Sequence, residues 1–459
     1  GRLRLRTLNR QLKRKIALAL LLALLGAGVA SQVPFLYRRF HVYPRTEAAL
    51  ADIRRTAGPA EPRPDGLLDL RGVIHVHTYL SHDSMGTPGE VIAAARKVGL
   101  DFVFTADHYG WLTDNHVISQ ALRGEHDGVL FVAGAEMRDG VMPFFLDRPP
   151  SRYNPHQPLQ GFVDDVRALG AVVFLNHPED PRRRWDLKNW AGMEIYNLHT
   201  DARQARLSLL WRLSEQLWSM ERYPMRVYHQ LFREPRDYLK LWDRFTERRR
   251  IVGIAGNDAH QNNGLRLVVS RAGTIVLADT SGAEGPPIWE GHGRISRALA
   301  RALFGGELAP GRTLWRVDAD LYERSFHYVS TRLLAPAKTE RDLRAALESG
   351  HAYVAFDSLV TATGFDFALL KGDQSRDPQR QGAGPAPLRV AIMGDEVRFE
   401  PQTALDIRSP VPATLRLIRN GGLIREQHSR RLLFPVHEPG VYRAEAHLDV
   451  RGKLVPWVY

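Results

Sequence analysis

Six short apolar runs in this chain each end in residues that bind metal ions or carry protons. GVIHVH ends in His75-x-His77 and DFVFTAD in Asp107-His108. VLFVAGAE ends in Glu136 and AVVFLNH in His177. GMEIYN ends in Asn197, with His199 close by, and IVGIAGND leads into Asp258-x-His260. Residues two apart on a strand point to the same side, so His75 and His77 can share one divalent ion, as can Asp258 and His260. Glu136 is a carboxylate able to bridge two ions. Imidazole with carboxylate suits zinc, iron or manganese better than calcium. A lone HxH or DxH is usually incidental. Six strand ends delivering such groups in succession are not. His41, His116, His126, His229, His292, His327 and His437 have no such context and read as structural or exposed. The chain has no cysteine, so any zinc site must use His, Asp and Glu. With no Cys and no G-x-S-x-G motif, no residue stands out as a protein nucleophile.

The elements that must position these groups are legible in the same stretch. Continuous apolar strands alternate with helical segments, the pattern of a parallel sheet covered on both faces. The helix expected over about 88–98 is typical: Thr87 caps it, Pro88 and Glu90 sit in its first turn, Val91, Ala94, Ala95 and Val98 recur at helical spacing, and Gly99 ends it. A further helix is expected near 159–169, and two long helical segments between about 201 and 249. In α/β barrels the active site lies where loops converge at the C-terminal ends of the strands, and every candidate ligand falls there. Beyond about residue 355 the texture becomes short strands separated by Gly, Pro, Asp and Asn, which reads as an all-β sandwich module with a loop over 372–386.

HVHTYLSHDSMGTPGEVIAAARKVGLDFVFTADH resembles the opening of a PHP (polymerase and histidinol phosphatase) domain, and GAEM, FLNHP, EIYN and AGNDAH resemble its later motifs in order. The resemblance spans about 71–330. It implies a distorted seven-strand (β/α) barrel, a cluster of two or three divalent ions (Zn, Mn or Fe), and hydrolysis of phosphomonoesters or small phosphodiesters. It further implies that His75, His77, Glu136 and Asp258 hold a first ion, that Glu136 bridges to a second with His177, and that Asp83, His108 and His260 hold a third. His82 is the alternative to Asp83. Glu136, Asp258, His260 and Asp107 are the expected catalytic residues, Asp107 by orienting ligands. One departure stands out: the family's usual His between the Glu and the His-Pro motif is missing from MRDGVMPFFLDRPPSRYNPHQP, where Asp139 or His156 is the nearest substitute. Arg182, Arg183 and Arg184 follow His177 and can recruit an anion.

The net charge of +12 suggests a nucleic-acid partner until it is located. Seven basic residues and no acid lie in residues 1–15, which leaves +5 for the remaining chain, too mild an excess for a polyanion groove. An uncharged apolar run, residues 16–37, follows the basic tail. It reads as a transmembrane anchor, with a cleaved signal peptide as the alternative, and both place the bulk of the chain outside the cytoplasm. The expected organisation is a basic cytoplasmic tail (1–15), the membrane segment (16–37), a Pro-rich linker (38–70), the barrel (71–355) and the β-module (356–459). An inner-membrane hydrolase of a small anionic phosphoester, facing the periplasm or the exterior and secreted if the segment is cleaved, is the expected function. A nuclease and a non-catalytic metal-containing binding protein are the rivals.

Overall fold

The computed structural model describes the chain except residues 1, 60–61, 109–119, 147–155, 206–208, 263, 281–286, 319 and 373–386. His116 and most of the loop expected over 372–386 therefore lie outside the described residues. The chain divides into two units, residues 1–49 with 206–230, and residues 50–205 with 231–459.

The first unit is helical. Its helix Arg2–Tyr37 contains the one segment among the described residues long and apolar enough to cross a membrane. A π turn at Arg38–Val42 carries it into a second helix, Tyr43–Thr56. The stretch expected to be a linker is thus helical over more than its first third, and its prolines fall at the helix start (Pro44) or beyond its end. Glu215, almost fully buried, anchors this unit: it accepts hydrogen bonds from Arg38 Nε at 2.5 Å and Tyr43 Oη at 3.2 Å. Instead of two long helical segments between 201 and 249, the described residues form five shorter ones, with breaks at Tyr223-Pro224 and Glu234-Pro235.

The second unit is a mixed α/β structure built on one large sheet. Its strands are β1 (Leu68–Val76), β2 (Phe102–Thr105), β3 (Gly124–His126), β4 (Val129–Val132), β5 (Val141–Phe144), β6 (Val172–Leu175), β7 (Gly192–Asn197) and β8 (Val252–Ala259). β4, β2, β1, β8, β7 and β6 are neighbours in that order and all parallel, while β5 runs antiparallel to β6. Backbone bonds from Ala135 N to Pro143 O and from Phe145 N to Ala133 O tie the segment after β4 to β5. Alternation along the strands divides the core in two. Ile74, Phe102, Phe104, Leu130 and Val132 pack with Met142, Phe144, Phe174 and Ile254. Val73, Val103 and Phe131 point the other way, onto the helices Pro88–Val98 and Tyr322–Tyr328. The helix Pro88–Val98 forms as its residues dictate: Thr87 and Glu90 make a reciprocal capping box, and Gly99 closes it at φ 73°.

Two further parts complete this unit. Gly264–Asp318 forms a four-stranded antiparallel sheet (Gly264–Val269, Ile275–Asp279, Trp289–Gly291, Thr313–Asp318) with the helix Arg294–Phe304. After β13 (Ser330–Ala335) and β14 (Ala352–Ala355), six strands follow among the described residues: β15 (Asp366–Lys371), β16 (Leu388–Ile392), β17 (Thr403–Arg419), β18 (Gly422–Pro435), β19 (Tyr442–Val450) and β20 (Lys453–Val458). They are an all-antiparallel run that joins the large sheet through β20 and β14. The long hairpin of β17 and β18 slips register between Arg408 and Ala413, across Pro410 and Pro412. Its first half pairs with β15 and its second with β19.

Candidate metal centre

The ends of β1, β2, β6 and β8 and the segment after β4 bring His75, His77, Asp83, His108, Glu136, His177, Asp258 and His260 to one place. Four candidate ligand atoms converge. His75 Nε2 lies 3.3 Å from Glu136 Oε2 and 3.5 Å from Asp258 Oδ1, and His77 Nε2 lies 3.4 Å from each of the same oxygens. Zinc with bonds of about 2.0–2.1 Å needs tetrahedron edges of about 3.3–3.4 Å. The other carboxylate oxygens face His177: its Nε2 is 3.4 Å from Glu136 Oε1 and 3.5 Å from Asp258 Oδ2. Asp258 as well as Glu136 therefore spans two positions, which the sequence pattern did not suggest. A third group surrounds Asp83, whose Oδ2 is 3.3 Å from both His108 Nε2 and His260 Nε2. His82 is exposed and joins no such group, and neither do Asp139 and His156, both exposed. Part of the stretch searched for a substitute His, residues 147–155, lies outside the described residues. Asn176 Nδ2 donates to Glu136 Oε1 at 2.5 Å.

The backbone bends to make this convergence. His75, His177 and Asp258 have φ of 70°, 47° and 49°. Such left-handed values in non-glycine residues cost about 1–3 kcal/mol each and persist only where the surroundings enforce them. Pairing of β1 with β2 and with β8 shifts register between Ile74 and Val76. His75 and His77 thus share a side through a bulge, not through the plain alternation expected of a strand.

The imidazole tautomers follow from the outer contacts. His75 Nδ1–H donates to Glu194 Oε1 at 2.6 Å. His77 Nδ1–H donates to Ser81 Oγ at 3.0 Å, because the Ser81 hydroxyl hydrogen goes to Asp107 Oδ1 at 2.9 Å. His177 Nδ1–H points at Glu179 Oε1, 3.1 Å away, and His260 Nδ1–H donates to the Asp258 carbonyl at 2.9 Å. All four therefore turn Nε2 toward carboxylate oxygens. A positive charge there, carried by a proton on Nε2 or by a metal ion, lets each pair approach. His77 Nε2, Asp83 Oδ1 and Asp258 Oδ1 are buried with no hydrogen-bond partner, which fits divalent ions at this centre.

Proton affinities carry the same message. Burial opposes charge on His75, yet Asp258, Glu194 and Glu136 hold its pKa well above the imidazole range. Burial likewise opposes charge on His260, but Asp258 and Asp83 raise it to about 9. Burial alone would raise Glu136, but His75 and His177 hold it well below its usual value.

Asp107 stands behind His77 and not at the open face. It accepts from Thr78 N at 2.6 Å and acts on the centre through Ser81. Asn197 caps the helix Leu198–Gln204 and donates to Glu194 Oε2 at 3.0 Å, so it too is a supporting residue. His199 lies with its ring 4.9 Å from that of His260, and burial pushes its pKa down to about 4. Glu194 and Glu179 escaped the sequence reading. Glu194 is fully buried and also accepts from His177 N at 2.9 Å. A Cβ on Gly256 would stand 2.0 Å from its Oε1, so only glycine leaves room for this carboxylate. Glu179 is held by Thr200 Oγ1 at 2.7 Å and Tyr238 Oη at 2.6 Å. A charged residue inside the apolar run GMEIYN was the available signal for Glu194; Glu179 left none.

Of the three arginines after His177, Arg182 pairs with Asp180 and Arg184 with Asp186 at the surface. Arg183 is buried. Its Nε and Nη2 lie 3.4 Å from the His177 carbonyl, its Nη1 has no hydrogen-bond partner, and its guanidinium rests on Gly140, where a Cβ would overlap it.

No family model matches this chain, and no curated protein does. Solved structures do. A two-domain protein from Bacteroides vulgatus containing a predicted PHP-like metal-dependent phosphoesterase is 12% identical, with 86% of this chain and 96% of that one covered at a TM-score of 0.32. A predicted metal-dependent phosphoesterase from Bifidobacterium adolescentis is 13% identical over 53% of this chain and 97% of its own, at 0.26. PsfC from Pseudomonas syringae is 16% identical, over 42% and 77%, at 0.27.

Proposed function

We propose that this chain is a metal-dependent hydrolase of small phosphoesters, tethered by residues 16–37 with its larger unit outside the cytoplasm. The supporting observation is the convergence of His75 and His77 on one oxygen each of Glu136 and Asp258, whose second oxygens turn to His177. We read the six parallel strands and β5 as a closed seven-strand barrel within 71–355, and the bent β17–β18 hairpin as the corner of a sandwich within 356–459. Residues 1–15 are then the cytoplasmic tail and 38–70 the connection out of the membrane.

In this reading His75, His77, Glu136 and Asp258 hold a first ion. Glu136, Asp258 and His177 hold a second, and Asp83, His108 and His260 a third, the metals being zinc, manganese or iron. Such ions, when bound, acidify water and offset the charge that builds on a phosphoryl group. The chain's own groups do the rest. Glu194, Ser81 and Glu179 fix the imidazoles so that each Nε2 stays unprotonated and aimed inward. Arg183, buried with Nε and Nη2 at the His177 carbonyl, adds a fixed positive charge behind the second position that favours an anionic substrate.

The test is turnover of chromogenic phosphomonoesters and phosphodiesters by the metal-loaded full chain, with metal content measured in parallel. Hydrolysis lost on chelation and restored by Zn²⁺ or Mn²⁺ is expected. Stoichiometric metal without turnover on either substrate class would overturn the hydrolase reading and favour a metal-containing binding protein. A phosphatase fused after Tyr459, active only when exported, tests the topology.

A further inference from the structure

The helix Arg294–Phe304 is amphipathic, and much of its apolar surface faces outward. Its one buried residue is Ala300, which with half-buried Phe304 packs on Val269, Ile275 and Leu308. Ile295, Leu299 and Leu303, at i, i+4 and i+8, form a stripe along the opposite side and are 86%, 58% and 67% exposed. Isolated exposed leucines need no explanation, but a continuous stripe does. Trp289, half exposed, extends it: its ring covers Gly291, and Ser296 Oγ in the first helical turn donates to the Gly291 carbonyl at 3.2 Å. The helix contains three arginines and no acid, and Arg294 and Arg301 are exposed beside the stripe.

We propose that this face, Trp289 with Ile295, Leu299 and Leu303, docks on an anionic lipid surface. An apolar stripe flanked by arginines, with a tryptophan at its margin, is the chemistry of a helix lying in the headgroup plane. A second copy of the chain is a poorer occupant, because a two-fold contact would set Arg294 and Arg301 against their own equivalents. A bilayer is also close at hand if residues 16–37 span one, and in that respect the inference leans on the membrane reading above.

The absence of cysteine allows one environment-sensitive label per variant in the full chain. Leu299→Cys reports the helix, Val29→Cys reports the span, and Gln427→Cys on exposed β18 is the control. Each is incorporated into vesicles of phosphatidylcholine alone or with added phosphatidylglycerol. The label at 299 should shift to the blue and be quenched by nitroxide lipids in the anionic vesicles only. Arg294→Gln with Arg301→Gln should weaken that contact by about thirtyfold. A label at 299 that stays open to aqueous iodide in both vesicles overturns the proposal. So does one shielded in proportion to protein concentration yet untouched by nitroxide lipid, the signature of a second copy. Quenching at 299 without quenching at 29 leaves the docking face standing and removes the span; the reverse removes only the docking face.

Discussion

Two buried charge clusters share the large sheet, and they are built on opposite rules. Near the start of β1, Asp69 and Asp357 meet Arg332 and Arg71. Arg332 is 2% exposed and grips Asp357 with Nη2 to Oδ1 at 2.7 Å and Nε to Oδ2 at 3.3 Å. Two acids face two guanidiniums, with Tyr353 Oη donating to Asp69 at 2.8 Å, so the charges balance among themselves. At the other end of β1, Glu136, Asp258 and Asp83 crowd around imidazole Nε2 atoms, with Glu194 behind His75. A cluster that closes on itself holds a fold together. One that closes only around an added cation is a place for chemistry.

The largest expected effects separate these two kinds of cluster. Asp258→Ala removes an oxygen from both of two proposed ion positions, and elemental analysis should show metal affinity reduced by more than about a hundredfold with the fold retained. Asp357→Ala leaves Arg332 and Arg71 without their anion and should cost about 3–5 kcal/mol in denaturant unfolding while the folded fraction keeps its metal. If Asp357→Ala empties the metal centre instead, or Asp258→Ala unfolds the chain, the contrast is wrong.

A sharper version addresses the outer contacts. Glu194→Gln keeps shape but removes the carboxylate that fixes His75, and metal titration should show about 10–100-fold weaker binding. Glu179→Gln should do less, toward the lower end, since Thr200 Oγ1 remains 3.3 Å from His177 Nδ1. Equal and negligible losses would mean that the imidazoles orient themselves. Arg183→Ala should raise KM for a phosphoester about tenfold, with metal content unchanged, if its buried positive charge helps to hold the anion.

How far these features were legible depended on the range of the interactions involved. The helix Pro88–Val98 and the alternating strands were readable because capping and apolar periodicity are local. The residues that the structure brings together were readable because most of them fall at strand ends in chain order. Glu179 and Ser81 were not, because their value lies in a neighbour's ring nitrogen; Arg183 was named with Arg182 and Arg184, and what sets it apart from them, its burial beside Gly140, was not readable. The helix at Tyr43–Thr56 was masked by its polar, Pro-rich composition, although a proline at a helix start is favourable.

The smallest expected effect belongs to neither cluster. His447, in β19, is buried, and burial together with Arg416 pushes its pKa down to about 4. Above about pH 6.5 both folded and unfolded forms are neutral there and stability is complete. As pH falls from 6.5 toward 4 only the unfolded chain takes up the proton, so stability should decline by about 1–2 kcal/mol and then level off. His447→Gln should flatten that part of the profile; an unchanged slope would assign it to other groups.

The junction of the large sheet has a consequence for motion. Val354 N donates to Tyr459 O at 2.9 Å and Tyr459 N to Val354 O at 3.0 Å, so the last residue of this sequence is stitched into the ladder that runs through β14 and β13 to β1. Amide protons in β20 and β14 should therefore exchange with solvent deuterium in step with those flanking His75, as one cooperative opening, while β16 at the far edge exchanges ahead of them.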